Sequence, residues 1–287
     1  MLPARTGSQD RIDVVITGGD GCVATLLRAA WRLCPPPFTP LWTSRRSGLD
    51  LIWDLGHGPA PRLPKGAVIL HLAGTIRPVD RNFEVNIAMI PPLIDACRRN
   101  EAAAILLASS ASVYAPGPLP AAEGDVPRPI SAYGESKLAA EWLALRDPMA
   151  FPVTCLRIGN VIGADALFGP RQGDAPIRLD PVPGREGGPV RSWIGPLTLA
   201  ATIARLCQLV ATGQDLPRIL NVASSPPLAM GALLEVSGRE WAYGPANPDV
   251  VPDAVMDTSQ LEILCPLPAA TPGALLAELE AVKGRRA

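Results

Sequence analysis

The chain has 287 residues, 48% hydrophobic and 18% charged, the composition of a well-buried globular protein and not of a disordered one. Lys and Arg number 26 against 27 Asp and Glu, a balance without the basic footprint of a nucleic-acid or anionic-membrane binder. No apolar run is long enough to span a bilayer, residues 1–11 lack the apolar core of a signal peptide, and six scattered cysteines with only two histidines (His57 and His71) argue against a disulfide framework or a histidine metal site and for a reduced, cytoplasmic protein.

Residues 11–17 are short, β-branched and ended by glycine, which predicts a buried strand. Gly18, Gly21 and Ala24 follow at Gly-x-x-Gly-x-x-Ala spacing, ahead of an Ala/Leu-rich helix to about residue 33. A strand, a glycine turn and a helix N-terminus make an anion site, because free N–H groups and the helix dipole point at the turn. Cys22, beside that helix start, is either a thiol of lowered pKa or a packing residue, the second being favoured. A second strand over 38–43 runs into Ser44-Arg45-Arg46. An NAD site usually places an acid there for the ribose 2′-hydroxyl, whereas arginines suit a 2′-phosphate. The reading favours NADP over NAD, with a solvated basic loop as the alternative.

A third strand, 49–54, ends in Asp54-Leu55, placed to pair with an adenine amino group and pack on the base. A fourth, 68–72, runs into Ala73-Gly74, whose small side chains permit close backbone approach to a cofactor. Residues 82–100 are helical and contain Asn86, with an irregularity expected at Pro91-Pro92. The fifth strand, 104–108, enters Ser109-Ser110-Ala111-Ser112-Val113-Tyr114. Residues 135–146 read as an amphipathic helix with Leu138, Trp142 and Leu145 on one side. Tyr133 and Lys137, four apart, share a helical face. An ammonium there would lower the phenol's pKa and make it usable as an acid/base, although Tyr-x-x-x-Lys alone also describes a surface tyrosine and a solvated lysine. A sixth strand, 152–158, leads to Gly159-Asn160-Val161-Ile162-Gly163.

Strands and helices alternating at this spacing predict a Rossmann-type, doubly wound parallel α/β sheet over residues 1–163. Gly18, Arg45, Ala73, Ser110 and Asn160 all fall just past strand ends, where such sheets bind ligands. Residues 164–287 are expected to form a small substrate-binding lobe, Gly/Pro-rich and irregular over 164–191. Within it, a helix over 196–212 and a strand over 218–222 return to the sheet, a helix covers 228–236, and residues 283–286 form a frayed basic end.

Together these segments resemble the extended short-chain dehydrogenase/reductase family, the branch of NAD-dependent nucleotide-sugar epimerases and dehydratases, from about residue 12 to 264. Thr17 to Ala24 resembles its Thr-Gly-x-x-Gly-x-x-Gly turn, with alanine last. His71-Leu72-Ala73-Gly74 resembles its His-x-Ala-Ala strand end, and Ser109 to Tyr114 its Ser-Ser-x-x-Val-Tyr-Gly segment. Tyr133 to Lys137 is similar to its Tyr-x-x-x-Lys, residues 156–163 to its Arg-x-x-Asn-x-x-Gly, and residues 190–194 to a stretch whose arginine holds a nucleotide diphosphate.

The resemblance implies an NAD(P)-dependent enzyme that transfers hydride at a carbonyl or secondary alcohol, with a nucleotide sugar as the suggested small-molecule substrate. Tyr133 would be the acid/base, Lys137 would lower its pKa and hold the nicotinamide ribose, and Ser110 would bond the reacting oxygen. Cofactor contacts are implied for Gly18, Gly21, Cys22, Val23, Ser44, Arg45, Arg46, Asp54, Leu55, Leu72, Ala73, Gly74, Asn86, Tyr133, Lys137 and Ile158, and substrate contacts for Ser110, Ser112, Asn160 and Arg191. No metal is implied. Ala111-Ser112 stands where the family's dehydratases carry Asp-Glu, which disfavours a 4,6-dehydratase, and Gly195-Pro196-Leu197-Thr198 replaces the usual His-Val-x-Asp. The alternatives are an NADPH-dependent reductase of a non-sugar carbonyl and a non-catalytic NADP-binding redox sensor. Family habit and the apolar residues of the two central helices lead to an expected homodimer.

Overall fold

The computed structural model describes residues 12–76, 83–146, 151–170 and 176–284; the expected helix start at residue 82 and the basic end past residue 284 lie outside them. The first half runs β1 (Asp13–Thr17), α1 (Cys22–Leu33), β2 (Thr39–Ser44), β3 (Leu51–Ile52), β4 (Val68–His71), α2 (Glu84–Ala88), α3 (Ile90–Arg99), β5 (Ala104–Ser110), α4 (Ala132–Leu145) and β6 (Val153–Ile158). The second continues with β7 (Asn160–Val161), β8 (Ile177–Leu179), β9 (Val190–Ile194), α5 (Pro196–Ala211), β10 (Ile219–Val222), β11 (Ser224–Ala229), α6 (Met230–Ser237), β12 (Trp241–Tyr243), β13 (Asp253–Ala254), α7 (Ser259–Leu264) and α8 (Pro272–Lys283).

Seven strands form one sheet in the order β10-β6-β5-β4-β1-β2-β3, every neighbouring pair parallel. Strand order reverses between β1 and β4, which places a crevice beyond their carboxyl ends. The expected doubly wound sheet is therefore present, with β10 returning to its edge. β4 is buried at all four positions, as a strand covered on both faces must be.

Local chemistry sets the helix boundaries. Ser131 caps α4, its hydroxyl accepting from Gly134 N–H at 3.1 Å, so the helix starts before Tyr133 and puts that residue in its first turn. Pro91 and Pro92 do not kink a helix. They occupy the first turn of α3, where a missing N–H costs nothing, and the expected irregularity is the break between α2 and α3. Trp142 corrects the amphipathic reading of α4: it is 63% exposed, while Leu138 is buried.

The region expected to be irregular carries short strands. β9 pairs with β11, β13 and β7 in a second sheet, and β8 pairs with β12. The apolar core does not stop at residue 163, because Leu26, Leu106, Leu156, Leu206, Leu234 and Leu279 belong to one buried cluster. The other face of the main sheet buries Val15, Ile69, Ile90, Leu93, Ile105 and Ala140.

α5 is capped from a distance. Gly195 offers no side chain at its N-cap, and the Glu278 carboxylate of α8 accepts from Thr198 N–H at 2.9 Å and from the Thr198 hydroxyl at 2.6 Å. A Cβ on Gly195 would overlap that carboxylate. Glu278→Ala should therefore cost about 1–2 kcal/mol, the scale of a lost helix cap. Gly195→Ala should cost a similar amount by displacing the carboxylate, and the double variant little more. Chemical denaturation of the four proteins checks this; strictly additive losses would refute a shared mechanism.

Candidate active site

The crevice begins with one close approach. Gly18 has φ 74°, and a Cβ there would lie 2.6 Å from both Cα and N of Ala73, so only glycine lets the β1 turn meet the end of β4. Gly21 N-caps α1 without a side-chain cap, which leaves the first helical N–H groups for an anion. These features fit a dinucleotide pyrophosphate. Val23 is half-buried and Cys22 exposed, so the packing role favoured for Cys22 is not what the fold gives it.

From Ala73 the chain reaches the catalytic candidates directly. A Cβ on Gly74 would stand 3.3 Å from Lys137 Nζ and 3.2 Å from Asn86 Oδ1. Lys137 donates to the Ala108 carbonyl at 2.9 Å, and burial lowers its pKa to about 8 against the partly restoring charge of Glu141. Tyr133 lies one turn earlier, its ring 5.9 Å from that of Phe83. Burial raises the phenol's pKa, and a hydrogen bond with Ser110 pulls it down. The sequence reading expected a lowered phenol; with the ammonium on Ala108, desolvation wins. Ser110 donates to Ser112 Oγ at 3.2 Å and accepts from Ser112 N–H at 3.1 Å. A Cβ on Gly134 would overlap the Ser112 carbonyl, so that glycine lets α4 close on this turn.

Asn86 is fully used in positioning. Its amide donates to Thr75 O and Ser136 Oγ, both at 3.1 Å, and accepts from Thr75 N–H at 2.8 Å. It ties the loop after β4 to α4. Other expected contacts are partly redirected. Leu55 is buried in the core cluster, so its side chain packs there, and Asp54 pairs with His57 at 3.6 Å. Arg45 and Arg46 are exposed beyond β2, whereas Ser44 is buried. Leu72 is half-buried and Ile158 buried. Asn160 pairs in register with Trp193 of β9, two residues along from Arg191. That arginine donates to the carbonyls of Val190 at 2.7 Å and Val251 at 3.0 Å, and burial lowers its pKa.

Sequence reasoning passed over a buried group below the site. Glu141 accepts from Arg157 Nη2 at 2.7 Å and Nε at 3.1 Å, and also from the Ser109 hydroxyl. The Lys137-x-x-x-Glu141 spacing, which stacks opposite charges one helical turn apart, was the available signal.

Residues 65–176 match the model of the NAD dependent epimerase/dehydratase family. No curated protein sequence matches the chain. Among solved structures, MoeE5 in complex with UDP-glucose and NAD is 23% identical, with TM-score 0.70, over 96% of this chain and 100% of that one. The UDP-glucose-4-epimerase of Stenotrophomonas maltophila, with NAD and formylated UDP-arabinopyranose, is 16% identical with TM-score 0.75, over 96% and 99%. The UDP-glucuronic acid 4-epimerase of Bacillus cereus, with UDP-glucuronic acid and NAD, is 18% identical with TM-score 0.69, over 96% and 100%. The fold is Rossmann-like and is shared with these structures. Residues 65–176 are thus similar to the domain of the NAD dependent epimerase/dehydratase family.

The burial of Lys137 has a measurable cost. Its folded pKa, about 8, lies below the ordinary lysine value of 10.5, so the unfolded chain binds the extra proton between those limits. Wild-type stability therefore gains as pH rises through that window, and the penalty is fully present below it. Lys137→Met should melt at or above the wild-type temperature at pH 7, with its advantage shrinking between pH 8 and 10.5. Thermal melts across that range check the sign; an advantage that grows with pH would contradict it.

Proposed function

We propose that the protein is an NAD(P)-dependent oxidoreductase of the epimerase type, acting on a secondary alcohol or carbonyl of a nucleotide sugar. The observation that carries the reading is the unbroken line from Gly18 through Ala73 and Gly74 to Lys137, with Tyr133 and Ser110 in contact beside it. It joins a dinucleotide turn to an acid/base pair. A bound nicotinamide dinucleotide supplies the hydride acceptor and donor. Tyr133 then takes the proton as a substrate hydroxyl becomes a carbonyl, and returns it in the reverse step. The Ser110 hydroxyl bonds the same oxygen as its charge changes, with Ser112 next to it. Lys137, protonated below about pH 8, is the cation one helical turn away that would hold the nicotinamide ribose, and the Phe83 ring lies against that of Tyr133.

The segment 164–287 is assigned the substrate side, with Asn160 and Arg191 as its candidates; Arg191 would have to release the Val251 carbonyl to meet a diphosphate. The second reading, an NADPH-dependent reductase, is favoured by the exposed Arg45 and Arg46. Six free cysteines fit the cytoplasm as location. No helix among the described residues is long and apolar enough to cross a membrane. For assembly the reading is a homodimer, with α4 and its exposed Trp142 as the candidate contact.

Tyr133→Phe should reduce turnover of a UDP-sugar panel by roughly 10²–10⁴-fold, the usual contribution of a positioned acid/base, with NADH binding retained. Full activity in that variant would remove catalysis from the reading. Sugar interconversion without net cofactor consumption supports the epimerase, and stoichiometric NADPH loss the reductase. In sedimentation, the wild type should run as a dimer at micromolar concentration and Trp142→Glu as a monomer; a monomeric wild type refutes the assembly.

A further inference from the structure

The end of β2 has no acid of its own. In a doubly wound sheet the group that holds the adenine-ribose hydroxyls stands there, some 20 residues past the glycine turn, and this chain places Ser44 in that position. The fold brings an acid to the same point by another route. Gly19 N–H donates to the Thr43 carbonyl at 2.8 Å, which fastens the glycine turn to the last residues of β2. The next residue of the turn, Asp20, accepts a hydrogen bond from the Ser44 hydroxyl. Ser44 Oγ in turn accepts from Arg46 N–H at 3.1 Å. The serine is thus occupied on both sides. Its proton is committed to the carboxylate, its oxygen to the backbone, and the pair fixes an exposed carboxylate at the end of β2.

We propose that Asp20, held by Ser44, is the residue that selects the adenine ribose, and that it selects for an unmodified 2′-hydroxyl, making NAD the preferred cofactor. The proposal rests on the NAD(P)-binding reading above and decides between its two cofactors. A ribose hydroxyl donates to a fixed carboxylate in a charge-assisted bond. A 2′-phosphate at the same point brings a second anion against it. Arg45 and Arg46 attract that phosphate, but both are long, exposed side chains whose pull is screened by solvent and salt. The carboxylate is anchored and the guanidiniums are not, so the carboxylate dominates.

The test is direct titration of the purified full-length protein with NADH and with NADPH, followed by nicotinamide fluorescence. Wild type should bind NADH at least tenfold more tightly than NADPH. Asp20→Asn should narrow that ratio at least fivefold, mainly by tightening NADPH, and Ser44→Ala, which frees the carboxylate, should narrow it less. In the Asp20→Asn background, Arg45→Ala should weaken NADPH and leave NADH unchanged. Wild-type preference for NADPH overturns the proposal while leaving the dinucleotide reading intact. So does a ratio that neither Asp20→Asn nor Ser44→Ala changes. Binding of neither nucleotide by a folded wild type overturns both.

Discussion

Glu141 is 1% exposed, and a carboxylate that deep is tolerable only with its charge answered on several sides. Arg157, also buried, answers it through two nitrogens, and Ser109 donates a third bond. Because Glu141 sits on α4, Ser109 on β5 and Arg157 on β6, the cluster fixes α4 against the two strands whose ends border the candidate site. Removing one member of such a buried pair typically costs about 3–5 kcal/mol, since the other charge is left uncompensated. The same carboxylate lies one turn from Lys137 and opposes the loss of its proton. The network continues outward. The Arg157 guanidinium stacks on the Tyr114 ring at 4.7 Å, Tyr114 donates to Asn221 Oδ1 at 2.8 Å, and Asn221 donates to the carbonyls of Ala121 and Asp257, both at 2.9 Å. One chain of polar contacts thus links the site to β10 and to the C-terminal half.

The features that sequence could reveal are those with a short-range cause. Strand positions follow β-branched runs, and all seven strands of the main sheet fall within a few residues of where hydrophobic pattern places them. The Gly18 turn, Ala73-Gly74 and the Tyr133–Lys137 pair were legible because backbone geometry or helical periodicity restricts what can stand there. Topology did the rest: once the strands are parallel and order reverses between β1 and β4, these segments have to meet.

Long-range effects were not legible. Trp142 has the period of a core residue, yet the face of α4 that packs is set by Glu141, Lys137 and Gly134, whose burial nothing in a hydropathy pattern announces. Arg191 matches a diphosphate-binding motif, but the carbonyls that hold it come from the backbone at Val190 and Val251, the second far along the chain. Leu55 sits beside a plausible adenine contact and is drawn into the core cluster that also holds Val15 and Ile69. The cap of α5 by Glu278 is of the same kind, since it depends on where α8 lands.

His71 shows how tightly the chemistry of the crevice is conditioned. Burial, and then the charge of Lys137, lowers its pKa to about 3, so the ring is neutral through the whole range in which Lys137 titrates. Neutrality matters on two counts. A protonated imidazole would add a second cation beside the ammonium and drive its proton off. It would also make Nδ1 a donor only. Ala73 N–H donates to Thr17 Oγ1 at 3.3 Å, and that oxygen is 2.8 Å from His71 Nδ1. In the tautomer that leaves Nδ1 bare, the threonine hydroxyl donates to it while its oxygen accepts from Ala73. The relay fastens the end of β4 to the end of β1 where Gly18 meets Ala73. The strand ends that line the crevice and the electrostatics around Lys137 therefore meet at the same neutral ring.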